Sequence, residues 1–475
     1  MSVRVDLNGL FAGPVGGTGL APLSPPVGAL AGPPMEPPVR SEDLEALAPE
    51  LDRVRRELAE RRAGGELEFA ELPYRRADVR GIMQAAQAAR DRFDTLVVLG
   101  IGGSALGAHA LHQALGAGQG PRLVVSDSID PGALRSLLAS LDLERTLFNV
   151  VSKSGDTVET MARFLIVRDR LMREFGAVDY KDHVIVTTEA QRGSLRQIVN
   201  DEGFQSLVVP PDVDGRFSAL TAVGLFPAAV AGIDLEELLA GAAMMDQRMR
   251  AAESPLGDPA LALAGSLWSL ARKGIHIVVL MSYAERLAAT GDWFCQLWGE
   301  SLGKAVDRDG RVVEHGQTAV RARGSADQHS HLQLYLDGPR DKVVLFLRVE
   351  DHGEALDIPA AYQDIEEIAC LGGNSLGGLL NGSQHATELA LARRGRPSAA
   401  LMLPAVNAFT VGQLVYLLEM ATVATGWLAG VDPFGQPAIE EAKELTFGLM
   451  GRPGFEARRA EIETWVAGKD PRFIL

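Results

Sequence analysis

The run Thr95-Leu96-Val97-Val98-Leu99, followed at once by Gly100-Ile101-Gly102-Gly103-Ser104, constrains the fold more than any other segment. An apolar run without polar alternation predicts a strand covered on both faces, and such strands belong to parallel sheets flanked by helices. The glycines predict a tight turn, after which Ala105 to Leu115 reads as a helix. This strand, turn and helix unit recurs. Arg122 to Val125 predicts a strand ending in Ser126-Asp127. Leu147 to Val151 predicts another, ending in Ser152-Lys153-Ser154-Gly155 and followed by a helix from Thr157 to about Glu174. Val184 to Thr187 and Ser206 to Val209 add two more strands. Strands alternating with helices in this way define an α/β fold built on a parallel sheet.

A second α/β region is expected after a helical stretch from Asp234 to about Ala252. Ile275 to Met281 predicts a strand with a helix from about Tyr283 behind it. His331 to Leu336 alternates as an exposed or edge strand, and Val343 to Val349 and Ala399 to Leu403 read as buried strands. The architecture expected is therefore two tandem doubly wound, mainly parallel sheets flanked by helices. Residues 1–70 are assigned to an N-terminal arm and helix, 71–245 to a first domain, 246–430 to a second and 431–475 to a helical C-terminal segment. Gly16-Gly17, Pro25-Pro26 and Pro33-Pro34 lower the odds of packed elements, so residues 1–40 read as an arm lying on the surface or partly disordered, and not as a signal peptide. From Ser41 to Arg62 the pattern is a charged helix with Ser41 as its N-cap. Val411 to Gly430 has the length of a membrane span, but Gln413 and Glu419 inside it favour a buried core helix.

Charge narrows the function classes. The 46 Lys and Arg against 62 Asp and Glu leave a net charge of -16, a field that repels polyanions and argues against general nucleic-acid or anionic-membrane binding. An anionic small molecule would need a local, built site. Cys295 and Cys370 lack CxxC spacing, which supports neither a disulfide framework nor a zinc cluster and fits a reducing, cytoplasmic compartment.

Two loops carry the candidate chemistry. The glycine loop, Gly103 and Ser104 included, presents free backbone N–H groups before a helix, where an anion is favoured. Taken alone it fits a phosphosugar site, a mere tight turn, or a dinucleotide site with Asp127 as the ribose-binding acid. The second loop, Ser152-Lys153-Ser154-Gly155-Asp156-Thr157, gathers three hydroxyls and one ammonium at another strand end. That concentration describes a monophosphate cradle. Its alternative is an N-cap, with Glu159 completing a capping box.

With these residues the sequence resembles the sugar isomerase (SIS) domain, and the remainder narrows the resemblance to the glucose-6-phosphate isomerase family. It runs from about Tyr74 to Lys443 and rests on separated motifs: both loops, Gly215-Arg216-Phe217-Ser218, Gln296-Leu297-Trp298-Gly299-Glu300-Ser301-Leu302-Gly303-Lys304, Asp327-Gln328-His329-Ser330, and Pro433-Phe434-Gly435-Gln436-Pro437 with Lys443. The resemblance implies an aldose–ketose isomerase of glycolysis and gluconeogenesis, needing no cofactor or metal. It implies a homodimer in which His329 reaches the neighbouring subunit's site.

The residue roles it implies agree with the chemistry of such a reaction. Moving a proton between C2 and C1 through an enediol needs one base, and Glu300 matches that position; its alternative is a helix-surface acid paired with Lys304. Ring opening needs a proton shuttle, the place of His329. The His329-x-His331 spacing supplies only two metal ligands on a strand, too few for a site. Arg216 matches the cation that faces the developing enediolate charge, and Lys443 the lysine at the ring oxygen. Gly103, Ser104, Ser152, Lys153, Ser154, Thr157, Gly215, Gln296 and Gln436 are the expected substrate contacts.

Two positions depart from the family's usual pattern. Asp214 stands where glycine is usual, placing a carboxylate beside Arg216 that either weakens its field or orients it. Gly435 stands where aspartate is usual. Three rival functions follow from the same residues: a dual phosphoglucose/phosphomannose isomerase, a phosphosugar sensor without turnover, and a nicotinamide oxidoreductase. Glu300, His329, Arg216 and Lys443 together argue against the sensor, which needs no proton-transfer set.

Overall fold

The computed structural model describes residues 2–11, 39–116 and 120–474. Gly16-Gly17, Pro25-Pro26 and Pro33-Pro34 lie outside the described residues. The chain divides into two units, Met1–Pro433 and Phe434–Leu475.

Within the first unit, strands β2 (Thr95–Leu99), β3 (Arg122–Ser126), β4 (Thr146–Val151), β5 (Val184–Thr188) and β6 (Gln205–Val208) follow β1 (Arg4–Asp6) in the chain. β2 to β6 form one sheet in the order β3-β2-β4-β5-β6, parallel throughout. Its core includes Val97, Leu99, Phe148 and Val150 from the strands, closed on one side by Phe164, Val167 and Leu171 of the helix Val158–Asp179. The spacing of those three residues lays one helical face on the sheet.

The second sheet takes β7 (Ile277–Ser282), then β10 (Thr318–Arg323), β11 (Lys342–Asp351) and β12 (Ser398–Ala405), with β8 (Lys304–Val306) and β9 (Val312–His315) forming a separate pair. Its order is β1-β12-β11-β7-β10, parallel except for β1, which runs antiparallel to β12 with Val5 opposite Leu401. The α/β architecture of two mainly parallel sheets is the one expected. Helix Ala408–Leu428 is buried along almost its whole length and packs against helices Leu235–Arg250 and Pro259–Arg272. It is the one helix among the described residues long and apolar enough to cross a membrane, and 89% of that window lies inside the protein. Asn407 starts it by accepting from the Thr410 N–H at 2.9 Å.

Three local expectations are corrected. The N-terminal stretch is not only a surface arm: Arg4–Asp6 completes a sheet edge, and Val3 and Leu10 are fully buried. Ser41 is not an N-cap but the first residue of helix Ser41–Ala46, where the Asp43 carboxylate accepts from the Arg40 N–H at 2.7 Å. Leu47 separates this helix from a second, Ala48–Ala63, which carries Pro49 in its first turn. His331 to Leu336 is not a strand, since Leu332–Asp337 is a helix. Leu332, Tyr335 and Leu336 face the core of the second sheet while Leu334 is 53% exposed, a helical rather than an alternating period.

The second unit holds helices Ala438–Leu449 and Glu456–Ala467. Phe447 meets Phe455 with ring centroids 5.3 Å apart, and Arg458 pairs with Glu444 at 2.8 Å.

Candidate active site

Strand order places the site. β2 connects to β3 on one side, and the chain then crosses back to β4 on the other, so the order in which the chain lays down its strands reverses between β2 and β4. Ligands of open α/β sheets bind outside the strand ends at such a point. The glycine loop leaves the end of β2 and the serine loop leaves the end of β4, so both border that crevice.

Close backbone packing explains the glycines. A Cβ on Gly103 would stand 2.2 Å from the carbonyl carbon of Gly215, so only glycine lets the loop meet the Gly215-Arg216 backbone. Gly102 has φ +54 and presses toward the Gln296 side-chain amide, where a Cβ would lie 3.0 Å away. Ser218 fastens the contact by donating to the Gly103 carbonyl at 3.1 Å. Ser104 is half-buried at the mouth of the same turn.

In the serine loop, the Ser152 hydroxyl is buried, lies 2.9 Å from Thr157 Oγ1 and accepts from the Gly155 N–H at 3.1 Å. Ser154 Oγ accepts from the Asp156 N–H at 3.3 Å and is exposed. Thr157 precedes the helix Val158–Asp179 without capping it through its side chain, and Glu159 completes no capping box. The capping alternative for this loop therefore fails, and the helix's first N–H groups are left facing the loop. Lys153 is half-buried, its carbonyl held by the Glu189 N–H at 3.3 Å.

Arg216 and Glu300 form the charged centre. Arg216 is buried, and its Nε donates to Ser301 Oγ at 2.8 Å while Nη2 donates to the Pro433 carbonyl at 2.7 Å. Nη2 also lies 3.0 Å from Asp214, and Nη1 lies 3.4 Å from Glu300 Oε2. Asp214 thus binds the guanidinium directly. The helix Ala288–Leu302 supplies Gln296 and Glu300 one turn apart, and the Gln296 amide donates to Glu300 Oε1 at 3.1 Å. Burial of Trp293, Leu297 and Trp298 on the same helix fixes its rotation and leaves Glu300 29% exposed. The helix ends at Leu302, so Lys304 lies beyond it at the start of β8. Burial, and then the neighbouring Arg216, push the Lys304 ammonium below its ordinary pKa, partly offset by Asp432, Asp214 and Glu300.

The remaining expected residues lie elsewhere. His329 ends the short helix Ala326–His329 and is exposed, with no hydrogen bond to Glu300, Arg216 or the serine loop among the described residues. Neither His329 nor His331 is on a strand, so the alternation expected for that pair does not exist. The preceding Gln328 anchors the turn, donating to Tyr283 Oη at 2.7 Å and accepting from Ser383 Oγ at 2.8 Å. Gln436 and Lys443 belong to the second unit, where Lys443 pairs with Glu440 at 2.6 Å. A separate cavity of about 410 Å³ lies at the opposite end of helix Ala288–Leu302, lined by residues including His109, Asp292, Arg321 and His331; neither Glu300 nor the two loops border it.

Sequence reasoning missed Arg163. It sits on the buried face of helix Val158–Asp179 between Thr160 and Phe164, and a charge interrupting an apolar face was the available signal. Its Nη2 donates to the Gly100 carbonyl at 3.0 Å.

Residues 83–351 match the family described as phosphoglucose isomerase. A glucose-6-phosphate isomerase of Carboxydothermus hydrogenoformans is 42% identical over 429 residues, covering 88% of this chain and 92% of that protein. One from Rubrobacter xylanophilus is 41% identical, covering 87% and 95%. The crystal structure of a hypothetical protein from Thermus thermophilus superposes with a TM-score of 0.83 at 35% identity, covering 94% of this chain and 100% of that one. A glucose-6-phosphate isomerase from Chlamydia trachomatis shares the fold, with a TM-score of 0.79 at 22% identity and coverage of 91% and 90%. With both sheets, both loops and the Arg216–Glu300 centre in place, this chain belongs to the phosphoglucose isomerase family.

Proposed function

We propose that the protein interconverts glucose 6-phosphate and fructose 6-phosphate. The observation that carries this reading is the pairing of a buried, fixed guanidinium, Arg216, with a partly exposed carboxylate, Glu300, at the mouth of two anion-binding loops. The serine loop, through Ser152, Lys153, Ser154 and Thr157, holds the phosphate, and Gly103, Ser104, Gly215 and Gln296 border the sugar. Glu300 takes the proton from C2 and returns it at C1. Arg216 stabilises the enediolate, a preorganised charge that is stronger against the transition state than against the sugar. Relatives of this length and identity that carry the same activity in their names support the assignment.

Ring opening is assigned to His329, with Lys443 at the ring oxygen and Gln436 as a further substrate contact. The exposure of His329, and its lack of any bond to Glu300, support a homodimer in which each subunit lends this histidine to the other's site. The activity would serve glycolysis and gluconeogenesis in the cytoplasm, a compartment that fits two unpaired cysteines.

The deciding experiment is turnover of fructose 6-phosphate, coupled to glucose-6-phosphate dehydrogenase, with Glu300→Gln beside the wild type. Loss of a general base predicts a fall in kcat of about 10²–10⁴ with binding of a competitive inhibitor nearly unchanged. Substantial turnover by Glu300→Gln removes the base assignment. Mixing inactive Glu300→Gln with inactive His329→Gln should restore activity, because one site of the mixed dimer then holds both native residues. Failure to restore activity in confirmed mixed dimers removes the shared-site reading.

A further inference from the structure

The geometry points to Arg163 as the positioning residue that sets the separation of the serine loop from the glycine loop. This rests on the phosphosugar reading proposed above and extends it to a residue that touches no substrate.

Arg163 lies one and a half turns into the helix that the serine loop opens, and its side chain is 1% exposed. The Nε donates back to the Glu159 carbonyl of its own helix at 3.1 Å. Nη2 donates to the Gly100 carbonyl at 3.0 Å, the first residue of the glycine loop. Nη1 donates to the Ser126 carbonyl at the end of β3 and lies 3.4 Å from its hydroxyl. One planar side chain therefore ties the helix behind the serine loop to the ends of β2 and β3. A guanidinium holds three acceptors in fixed directions, which no aliphatic or ammonium side chain does.

The cation carries a cost that packing alone does not explain. Among the described residues no carboxylate forms an ion pair with Arg163. Burial pushes its pKa below the ordinary value, and Asp127 and Glu159 act only as more distant charges. An apolar residue would continue the helix face of Phe164, Val167 and Leu171 without that desolvation. What the arginine adds is a fixed distance between the loops, and a positive charge with no ion-pair partner among the described residues at the sheet end where a phosphate monoester would bring a negative one.

Steady-state kinetics with fructose 6-phosphate, with inorganic phosphate as competing inhibitor, test this on wild type, Arg163→Met and Arg163→Lys, with melting temperature measured alongside. Arg163→Met should raise both KM and the phosphate inhibition constant about tenfold or more while kcat stays within about threefold. Arg163→Lys keeps the charge but not the planar fork, and should raise both constants about threefold. A purely structural role would lower the melting temperature and leave KM and the inhibition constant unmoved. Folded variants with wild-type constants overturn the inference; where Arg163→Met does not fold, unchanged constants in Arg163→Lys overturn it. If the wild type itself neither turns over fructose 6-phosphate nor binds phosphate, the functional reading falls and this one with it. If the wild type does both and the variants match it, only the Arg163 assignment falls.

Discussion

Arg216 Nη1 stands 3.4 Å from Glu300 Oε2 although 84 residues separate them, and the two differ in environment, the arginine buried and the glutamate open to the crevice. The glutamate thereby keeps an open side toward the crevice while the cation stays fixed. Arg216→Lys keeps a charge but cannot bond Ser301, Asp214, Pro433 and Glu300 together. Its kcat should fall by about 10²–10³, the loss typical of one oxyanion-stabilising donor, with a smaller change in KM. Stopped-time assays under saturating substrate read the difference, and a kcat within about threefold of wild type would remove Arg216 from the chemistry.

Gly103→Ala is expected to damage activity more than folding. The new methyl would meet the Gly215 backbone at 2.2 Å, so the glycine loop must retreat from Arg216 at a cost of about 1–3 kcal/mol. Activity should drop more than about tenfold through misplacement of the site. Gly382→Ala, in the exposed interior of helix Leu376–Arg393 with open space around it, is the opposite case and should stabilise by about 0.5–1 kcal/mol. Urea melts and turnover on the two variants check both directions.

Glu419 lies in the middle of the buried helix Ala408–Leu428, and neither of its carboxylate oxygens has a hydrogen-bond partner among the described residues. Burial holds its pKa well above the ordinary carboxylate value. A raised folded-state pKa gives stability that is full below the unfolded pKa and is lost as pH rises toward the folded one. Glu419→Gln has no such titration. The variant should therefore gain on the wild type steadily between about pH 5 and pH 8, measured as the difference in melting temperature; parallel pH profiles would contradict this.

Asp246 presents the opposite sign. It too is buried, and burial alone would raise its pKa, but bonds from Arg62, Tyr74 and Tyr416 outweigh that and hold it below the usual range. The Tyr74 and Tyr416 hydroxyls lie 2.6 Å and 2.9 Å from it. Its contribution to stability is present above the unfolded carboxylate pKa and lost as pH falls through the folded one. Asp246→Ala leaves Arg62 without its buried partner and should cost about 3–5 kcal/mol at pH 7, with a weaker dependence on acid than the wild type. Denaturant melts at pH 7 and pH 4 test both parts.

What could be read from the sequence follows the range of each interaction. β2, its glycine turn and the following helix were legible because every determinant lies within some twenty consecutive residues. The serine loop was legible for the same reason. Arg216 and Glu300 were not, and entered only one by one through resemblance, since no local pattern marks either residue; their pairing came from the structure alone. Arg163 was missed because two of its three acceptors lie 37 and 63 residues away and a mid-helix arginine looks like surface. The segment from His331 misled because Leu332 and Leu336 suit both an alternating and a helical period, and only the burial of Tyr335 in place of Leu334 separates the two.

The antiparallel strand Arg4–Asp6 has its partner at Ala400–Met402. On the ribosome Arg4–Asp6 emerges some four hundred residues before the strand it pairs with, so it must stay uncommitted while everything between is made. Until it docks, β12 presents a bare row of amides and carbonyls to any other extended chain, including the same segment of a neighbouring molecule. Closing this sheet therefore waits on a segment made long before its partner, and until the two meet the segment is open to exchange between neighbouring chains.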